Sequence, residues 1–264
     1  MPDLVKLAEG REAELFLQPD GRVLRLLRRD LPLAAERAAL EATALAAAAA
    51  AGAPVPAVYE QVTRDGRPGL VLERVEGVDL LTRVTARPWS LPSVARRCGR
   101  LHAELHAVTG PGELLPLKDR VERALRDSPA VPGALRDSAL RTLESLPDGD
   151  RLCHGDFHPA NVLQAGDRAV VIDWTTAARG DPVADVARSW VLLEFSPLPP
   201  GASAAQRALA RAGRGLLLSG YMRAYARAAP LDANRLAAWT RVRSIERLAE
   251  EIEGEREPIL DRLS

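Results

Sequence analysis

The chain has 264 residues, and its 36 Lys and Arg balance 36 Asp and Glu, so its formal net charge is zero. This balance argues against a general nucleic-acid or membrane-surface binder, and two cysteines are too few for a disulfide framework. Residues 1–10 lack the apolar core of a signal peptide, and the longest apolar run, residues 42–51, is too short to span a bilayer. The sequence therefore predicts a cytoplasmic protein with one large domain or two lobes.

The first third of the chain alternates between strand and helix patterns. Strands are predicted over residues 14–18, 22–27, 58–62 and 69–75. Pro19-Asp20-Gly21 and Arg64-Asp65-Gly66 are turn signals that join these strands into two hairpins. Between the hairpins, residues 33–51 are rich in Ala, Leu and Glu and predict a helix that ends before Gly52.

The rest of the chain is dominated by helical patterns. Helices are predicted over residues 93–108, 118–127, 132–145, 204–229 and 233–253. Two short strands, residues 162–164 and 169–172, lie between the third and fourth of these helices. They flank Gly166-Asp167, a hairpin-type turn signal.

The most informative stretch surrounds these two short strands. His154, Asp156 and Asn161 precede them, and Asp173 follows directly after the second. Pro159 removes a backbone donor and fixes φ, so the first three residues lie in a loop, and the hairpin returns Asp173 beside Asn161. Phosphoryl transfer from ATP needs such a set. One carboxylate accepts the hydroxyl proton, while an amide oxygen and a second carboxylate hold Mg²⁺ on the phosphates.

These residues also resemble a known family. The run His154-Gly155-Asp156-Phe157-His158-Pro159-Ala160-Asn161, followed by Ile172-Asp173-Trp174, is similar to the aminoglycoside phosphotransferase and choline kinase superfamily. Gly180-Asp181-Pro182 and Asp185-Val186-Ala187 match the same pattern. The resemblance implies an α+β, two-lobed protein-kinase-like fold. A small antiparallel-sheet lobe with one helix would hold the nucleotide in residues 1–76, and a mainly helical lobe would hold the catalytic and acceptor sites in residues 77–264.

The resemblance also implies roles around the catalytic loop. Asp156 is expected to be the catalytic base, and Asn161 and Asp173 are expected to bind Mg²⁺. His154 is expected to support the loop structurally. Asp185 can cap a helix by itself, but the resemblance implies that it reaches back to brace residues 154–156.

The nucleotide, ATP or GTP, is expected to lie against the first lobe. Arg25 stands where a kinase often has Lys, and it would contact the phosphates while Glu41 holds it; Glu36 is a competing partner. Glu73 and Val75 lie in a hinge that would offer backbone groups to the base. Residues 8–14 are a weaker candidate for a phosphate-binding loop, since they contain one glycine.

The sequence thus predicts an ATP-dependent kinase, a monomer or homodimer, that phosphorylates a hydroxyl of an aminoglycoside, amino alcohol, sugar or related metabolite. One alternative is a nucleotide-binding protein without catalysis, suggested by Arg25 and the single glycine. Another is a metal-dependent hydrolase that uses His154, Asp156, His158 and Asp173. An assay of phosphate transfer from ATP separates the kinase from both.

Three further features remain open at this level. His102 and His106 have the i, i+4 spacing of metal ligands, but a structural role below the catalytic loop is favoured. The acidic residues between 246 and 257 could attract an aminated acceptor, although interleaved arginines favour a solvated helix face. A loop over residues 196–201 is predicted to border the acceptor site.

Overall fold

A five-stranded antiparallel sheet forms the first part of the fold in this computed structural model, which describes residues 4–10, 12–196 and 203–264. Within those residues the strand order is β1-β2-β3-β5-β4. The strands are β1 Val5–Glu9, β2 Ala13–Leu17, β3 Val23–Leu27, β4 Val58–Arg64 and β5 Arg67–Leu72. The two predicted hairpins are therefore present, and β1 adds an exposed edge that the sequence did not indicate.

One helix, α1 Ala34–Ala50, packs against this sheet. Its buried face is mostly alanine, whose small side chains let the helix lie close to the strands. Side chains alternate across β3, so Leu24 and Leu26 join one apolar cluster while Leu27 joins Ala38 of α1 in another. The same alternation turns Arg25 toward the face that α1 covers.

Five short strands alternate along the chain with the helices that follow the sheet. They are β6 Val78–Asp79, β7 Arg151–Cys153, β8 Val162–Ala165, β9 Arg168–Val171 and β10 Ala178–Gly180. β8 and β9 form the predicted hairpin, and β6 pairs with β8 on its other side. β7 pairs with β10, so the chain before the catalytic loop is tied to the chain after Asp173.

Helices make up the remainder of the described chain. They are α2 Leu80–Ala86, α3 Leu91–Leu105, α4 Leu117–Asp127, α5 Gly133–Ser145, α6 Pro182–Phe195, α7 Ala204–Ala228, α8 Ala233–Arg247 and α9 Arg256–Leu263. α3 packs along α7, and α6 packs against α8. The predicted α+β class is confirmed, with an antiparallel sheet and one helix preceding a mainly helical region.

The end of the last predicted helix differs from the sequence prediction. The helix predicted over residues 233–253 ends at Arg247, because Glu251 and Gly254 adopt left-handed φ values of 51° and 81°. The chain then turns into α9. The predicted loop at 196–201 falls outside the described residues except for Ser196. Among the helices of the described residues, none has the length and apolar character to cross a membrane.

Candidate active site

A cleft of about 1670 Å³ separates the sheet from the helical region. Seven of the nine predicted site residues line it, namely Arg25, Glu41, Glu73, Val75, Asp156, Asn161 and Asp173. The other two, His154 and Asp185, are fully buried. Long-range folding therefore brings residues that are up to 148 positions apart in the chain into one site.

The catalytic loop connects β7 to β8 and is shaped by a single glycine. Gly155 has a φ of 80°, and a Cβ at this position would lie 2.4 Å from the backbone oxygen of Thr176. Only glycine fits this position without moving the backbone. Asn161 lies at the end of a short 3₁₀ turn, and its Nδ2 donates to the backbone oxygen of Asp156 at 2.9 Å and to its Oδ2 at 3.0 Å. The loop thus holds the Asp156 carboxylate in one orientation.

His158 further constrains Asp156. The Ala160 amide donates to His158 Nδ1 at 3.2 Å, so in the neutral ring the proton lies on Nε2, which is 3.5 Å from Asp156 Oδ2. Burial by itself raises the pKa of Asp156, but the hydrogen bond and charge of His158, followed by the charges of Arg188 and His154, lower it below the ordinary value. Asp156 is therefore ionised at neutral pH. Within the described residues no hydrogen bond reaches its Oδ1, and Asp156 lines the cleft.

A backbone hydrogen bond joins Asn161 to Ile172, the residue before Asp173. The Ile172 amide donates to the Asn161 carbonyl at 2.9 Å, which places Asp173 beside Asn161. Asp173 has a φ of 64°, a left-handed conformation rare outside glycine, and its side chain is 43% exposed. The Asn161 amide nitrogen is used by Asp156, so its Oδ1 is left as an oxygen ligand.

His154 connects the loop that carries Asp156 to the chain segment that carries Asp173. Its Nε2 donates to the Ile172 carbonyl at 3.0 Å, and its Nδ1 accepts from the Asp156 amide at 3.2 Å. Burial lowers the pKa of His154, so the ring is neutral and this proton placement is maintained. His154 therefore sets the position of Asp156 relative to Asp173 without facing the cleft.

Asp185 lies below the loop at the start of α6 and accepts four hydrogen bonds. Its Oδ1 accepts from the Gly155 amide at 2.8 Å, and its Oδ2 accepts from the His154 amide at 2.6 Å. Nε2 of His102 and of His106 also donate to Oδ2, at 3.0 and 3.2 Å. Burial raises the pKa of Asp185, but the two histidines outweigh it and hold that pKa well below its usual range.

His102 and His106 are a structural pair in this arrangement. Their Nδ1 atoms accept from the hydroxyls of Tyr221 and Tyr225, each at 2.7 Å, and their Nε2 atoms point to Asp185. All four ring nitrogens have partners, so neither ring has a nitrogen lone pair left for a metal. Burial lowers the pKa of His102 to about 3, which keeps that ring neutral. The geometry thus favours the structural role over the metal-ligand spacing.

Arg25 forms the opposite wall of the cleft. Its Nη1 donates to Glu41 Oε2 at 2.7 Å, and its Nη2 donates to Asp173 Oδ1 at 3.2 Å. Glu36, the competing partner, is exposed on α1. Glu41 is 2% exposed, and burial raises its pKa to about 7, against the opposing effect of Arg25. The third strand, the following helix and the chain after β9 are thus joined by one guanidinium group.

The side chain of Glu73, in the predicted hinge, is bound by other protein groups and is not left free for a nucleotide. The Glu73 carboxylate binds Arg168 at 2.6 Å and accepts from the Ala57 amide at 3.1 Å. The Glu73 amide also donates to the Ala57 carbonyl at 2.8 Å. The groups left for a ligand are therefore the Glu73 carbonyl and the backbone of Val75.

The weaker candidate, the turn between β1 and β2, also borders the cleft through Ala8, Gly10 and Glu12. The Gly10 amide donates to Ala13, and the Gly10 carbonyl accepts from Arg28. Arg11 lies outside the described residues. The described part of this turn offers a single glycine and no cluster of backbone amides directed at the cleft.

The far end of the cleft is lined by three helices and contains three arginines. Arg120 of α4 donates to the carbonyls of Thr176 and Ala177, at 2.5 and 3.5 Å. Arg188 of α6 binds Glu250 at 2.5 Å, and Arg243 of α8 binds both oxygens of Glu246, at 3.0 and 2.7 Å. Arg188 and Arg243 are 6% and 5% exposed.

Comparison with known proteins then identifies the chain. The model of the phosphotransferase enzyme family, APH, matches residues 3–243. The chain belongs to this family. The match confirms the predicted phosphotransferase with an alcohol group as acceptor, and it confirms the resemblance on which that prediction rested. None of the curated proteins matches the sequence significantly.

Solved structures of members of this fold are similar over nearly the whole chain. Amicoumacin kinase hAmiN, in complex with AMP-PNP, Ca²⁺ and Ami, superposes with a TM-score of 0.67 at 15% identity, covering 100% of this chain and 87% of the other. Aminoglycoside-3'-phosphotransferase of type VIII superposes with a TM-score of 0.65 at 23% identity, covering 93% of this chain and 94% of the other. Choline kinase from Cryptosporidium parvum Iowa II superposes with a TM-score of 0.61 at 14% identity, covering 99% of this chain and 87% of the other. The predicted protein-kinase-like fold is confirmed.

The cleft contains residues that the sequence did not single out. The three arginines belong to three helices and carry no common spacing, so no local pattern could indicate them. The acidic run at 246–257 does not act as one face. Glu246 and Glu250 bind the arginines of the cleft, Glu255 is buried against Arg247, and the others are exposed. The i, i+3 pairs Arg243–Glu246 and Arg247–Glu250 were the available signal.

Proposed function

We propose that this phosphotransferase is a kinase that moves the γ-phosphoryl group of ATP to a hydroxyl of a small molecule. The observation that carries the proposal is the cluster of Asp156, Asn161 and Asp173. Asn161 donates to Asp156 and accepts from the Ile172 amide, and Asp173, the next residue, accepts from Arg25. The cluster combines a fixed carboxylate with hard oxygen ligands and a cation, which is the set that phosphoryl transfer needs. Residues 1–76 would be the lobe that holds the nucleotide, and residues 77–264 the lobe that holds the acceptor.

Asp156 would accept the proton of the attacking hydroxyl through Oδ1. Its Oδ2 is held by Asn161 at 3.0 Å, so the carboxylate does not rotate away from the acceptor. The lowered pKa makes Asp156 a weak base that is always ionised at neutral pH. This is sufficient in a loose transition state, where orientation of the hydroxyl contributes more than the strength of the base.

Asn161 and Asp173 would hold Mg²⁺. Their chemistry fits a hard divalent cation, since one amide oxygen and a partly exposed carboxylate lie on adjacent chain segments joined by a backbone hydrogen bond. When bound, the ion would neutralise charge on the phosphate oxygens. The Arg25 contact to Asp173 keeps this carboxylate oriented toward the cleft.

Arg25 would contact the phosphates while Glu41 holds its guanidinium group from the buried side. The guanidinium fork binds oxygens in pairs, so Arg can replace the more common Lys without loss of charge. The Glu73 carbonyl and the Val75 backbone would contact the purine, which is compatible with ATP and with GTP.

The alternative of a metal-dependent hydrolase lacks support from the histidines. Both ring nitrogens of His154 are hydrogen-bonded, and the residue is fully buried. His158 Nδ1 accepts from the Ala160 amide. The alternative of a nucleotide-binding protein without catalysis would leave the oriented Asp156 without a role.

The test compares Asp156→Asn with the unchanged protein. Mg·ATP binding is measured by calorimetry, and ADP release is measured against a panel of hydroxyl compounds. We expect unchanged nucleotide affinity and a fall in turnover of about 10²- to 10⁴-fold, since the amide cannot accept the proton. Near-normal turnover in Asp156→Asn, or no binding of Mg·ATP to the unchanged protein, would reject the proposal.

A further inference from the structure

We propose that the acceptor carries an anionic group, which the three arginines at the far end of the cleft bind while a hydroxyl of the same molecule lies at Asp156. The inference rests on the proposed kinase function and narrows its substrate class. The three cations are Arg120, Arg188 and Arg243, and we call them the arginine wall. They line the same cleft as Asp156.

The first support is the crowding of like charges in the wall. Burial is the main cause that lowers the pKa of Arg120 to about 10, and the charges of Arg243 and Arg188 lower it further, against Glu246. The Arg120 guanidinium group remains charged at neutral pH. Like charges that line one partly desolvated cleft are stabilised by an added anion.

The second support is hydrogen-bonding capacity that the protein does not use. Within the described residues, Nη1 of Arg188 and Nε of Arg243 are buried and have no hydrogen-bond partner. An unpaired buried donor on a charged group is unfavourable. The two glutamates thus leave both guanidinium groups incompletely paired, and a small rotation toward an anion in the cleft would complete them.

The third support is that both glutamates of this end, Glu246 and Glu250, are already paired with arginines. Glu246 is held by Arg243 at 2.7 Å, and Glu250 is shared between Arg188 and Arg247. A polycationic acceptor would have to displace these arginines and would meet Arg120 as well. An anionic acceptor would not have to displace these arginines and would not be repelled by Arg120. The arginine wall therefore favours anionic over cationic acceptors.

The wall also lies within reach of the reaction. Arg120 donates to the carbonyl of Thr176, and the Thr176 hydroxyl donates at 2.9 Å to the carbonyl of His154, two residues before Asp156. A single small molecule can therefore place a hydroxyl at Asp156 and an anionic group at the wall. Carboxylates and phosphate monoesters share the required chemistry, since both accept paired hydrogen bonds from guanidinium.

The experiment uses compounds with one hydroxyl-bearing framework and different charge. Glucuronate, glucose 6-phosphate, glucose and glucosamine are compared at equal concentration, by ADP release with Mg·ATP and by saturable thermal stabilisation with Mg·ADP. We expect the anionic members to be preferred, and the first two compounds separate carboxylate from phosphate. Preference for glucosamine or glucose overturns the inference and leaves the kinase function intact, as does absence of any saturable effect of the anions while Mg·ATP binds.

Variants of the arginine wall give a second, independent readout. Arg188→Gln and Arg243→Gln should raise KM for the anionic compound by about 10- to 100-fold with little change in kcat, since each removes a charge-assisted hydrogen bond. Glu246→Gln should act in the opposite direction and lower KM, because it frees Arg243. Arg241→Gln, an exposed site on the same helix α8, is the control and should leave KM unchanged.

Two outcomes of this series would overturn the inference. In the first, KM is equal for the unchanged protein and both arginine variants, with folding verified by circular dichroism. In the second, Glu246→Gln raises KM for the anion. Failure of Mg·ATP to bind would instead reject the proposed kinase function, so the two proposals fail by different measurements.

Discussion

Replacement of Asp185 is the sharpest test of how the catalytic loop is held. The carboxylate is completely buried and accepts hydrogen bonds from the amides of His154 and Gly155 and from the rings of His102 and His106, at 2.6 to 3.2 Å. Asp185→Ala leaves four donors without their acceptor. At the low end of about 1 kcal/mol for each unpaired donor, the loss is about 4 kcal/mol. That is a large part of the roughly 5–15 kcal/mol that stabilises a typical protein.

The variant series for this prediction contains a milder change and a matched control. Asp185→Asn keeps one acceptor oxygen but places an amide donor against at least one N–H, so we expect a loss of about 1–3 kcal/mol. Asp232→Ala is the control, because Asp232 is an exposed helix cap whose side chain accepts from the Arg235 amide at 2.7 Å. Its loss should be about 1 kcal/mol.

Urea unfolding followed by circular dichroism measures these losses, and ADP release measures turnover at a temperature where each variant is folded. Turnover of both Asp185 variants should fall, since the loop that carries Asp156 loses its anchor, while Asp232→Ala should keep full turnover. If Asp185→Ala loses no more stability than Asp232→Ala, the bracing role is wrong and Asp185 is only a cap of α6.

Three further predictions address the metal, the cation and the buried histidine. Asp173→Ala should weaken Mg·ATP binding far more than binding of metal-free ATP in calorimetry, and equal weakening of both would contradict the metal role. Arg25→Ala should raise KM for ATP and lower kcat, whereas Arg25→Lys should keep partial activity, because charge survives without the paired hydrogen bonds to Glu41 and Asp173; equal activity of the two variants would count against phosphate binding by Arg25. The pKa of His102 is lowered to about 3 from an ordinary 6.5, so the unfolded chain binds a proton that the folded protein excludes. Stability is therefore complete above pH 6.5 and falls below it, by about 2 kcal/mol for this residue between pH 7 and 5; urea unfolding at both pH values should show this loss, and His102→Gln should reduce it.

The local chemistry of the candidate site can be predicted from short stretches of sequence. The loop around Asp156 and the hairpin that returns Asp173 to Asn161 depend on turn residues and alternating side chains within about twenty positions. The alanine-rich helix that carries Glu41 and the strand that carries Arg25 also follow from composition and periodicity. Interactions between residues so close in the chain depend on the local sequence, which is why they could be predicted.

Tertiary structure alone decided which distant residues meet. The contact of Glu41 rather than Glu36 with Arg25 depends on which face of α1 packs on the sheet. The strands of two or three residues that tie the catalytic loop in place are too short to show a period. The arginine wall comes from α4, α6 and α8, whose packing brings Arg120, Arg188 and Arg243 together across gaps of 68 and 55 positions. No local sequence pattern predicts that these arginines lie together, because the packing of the apolar cores between the helices determines it.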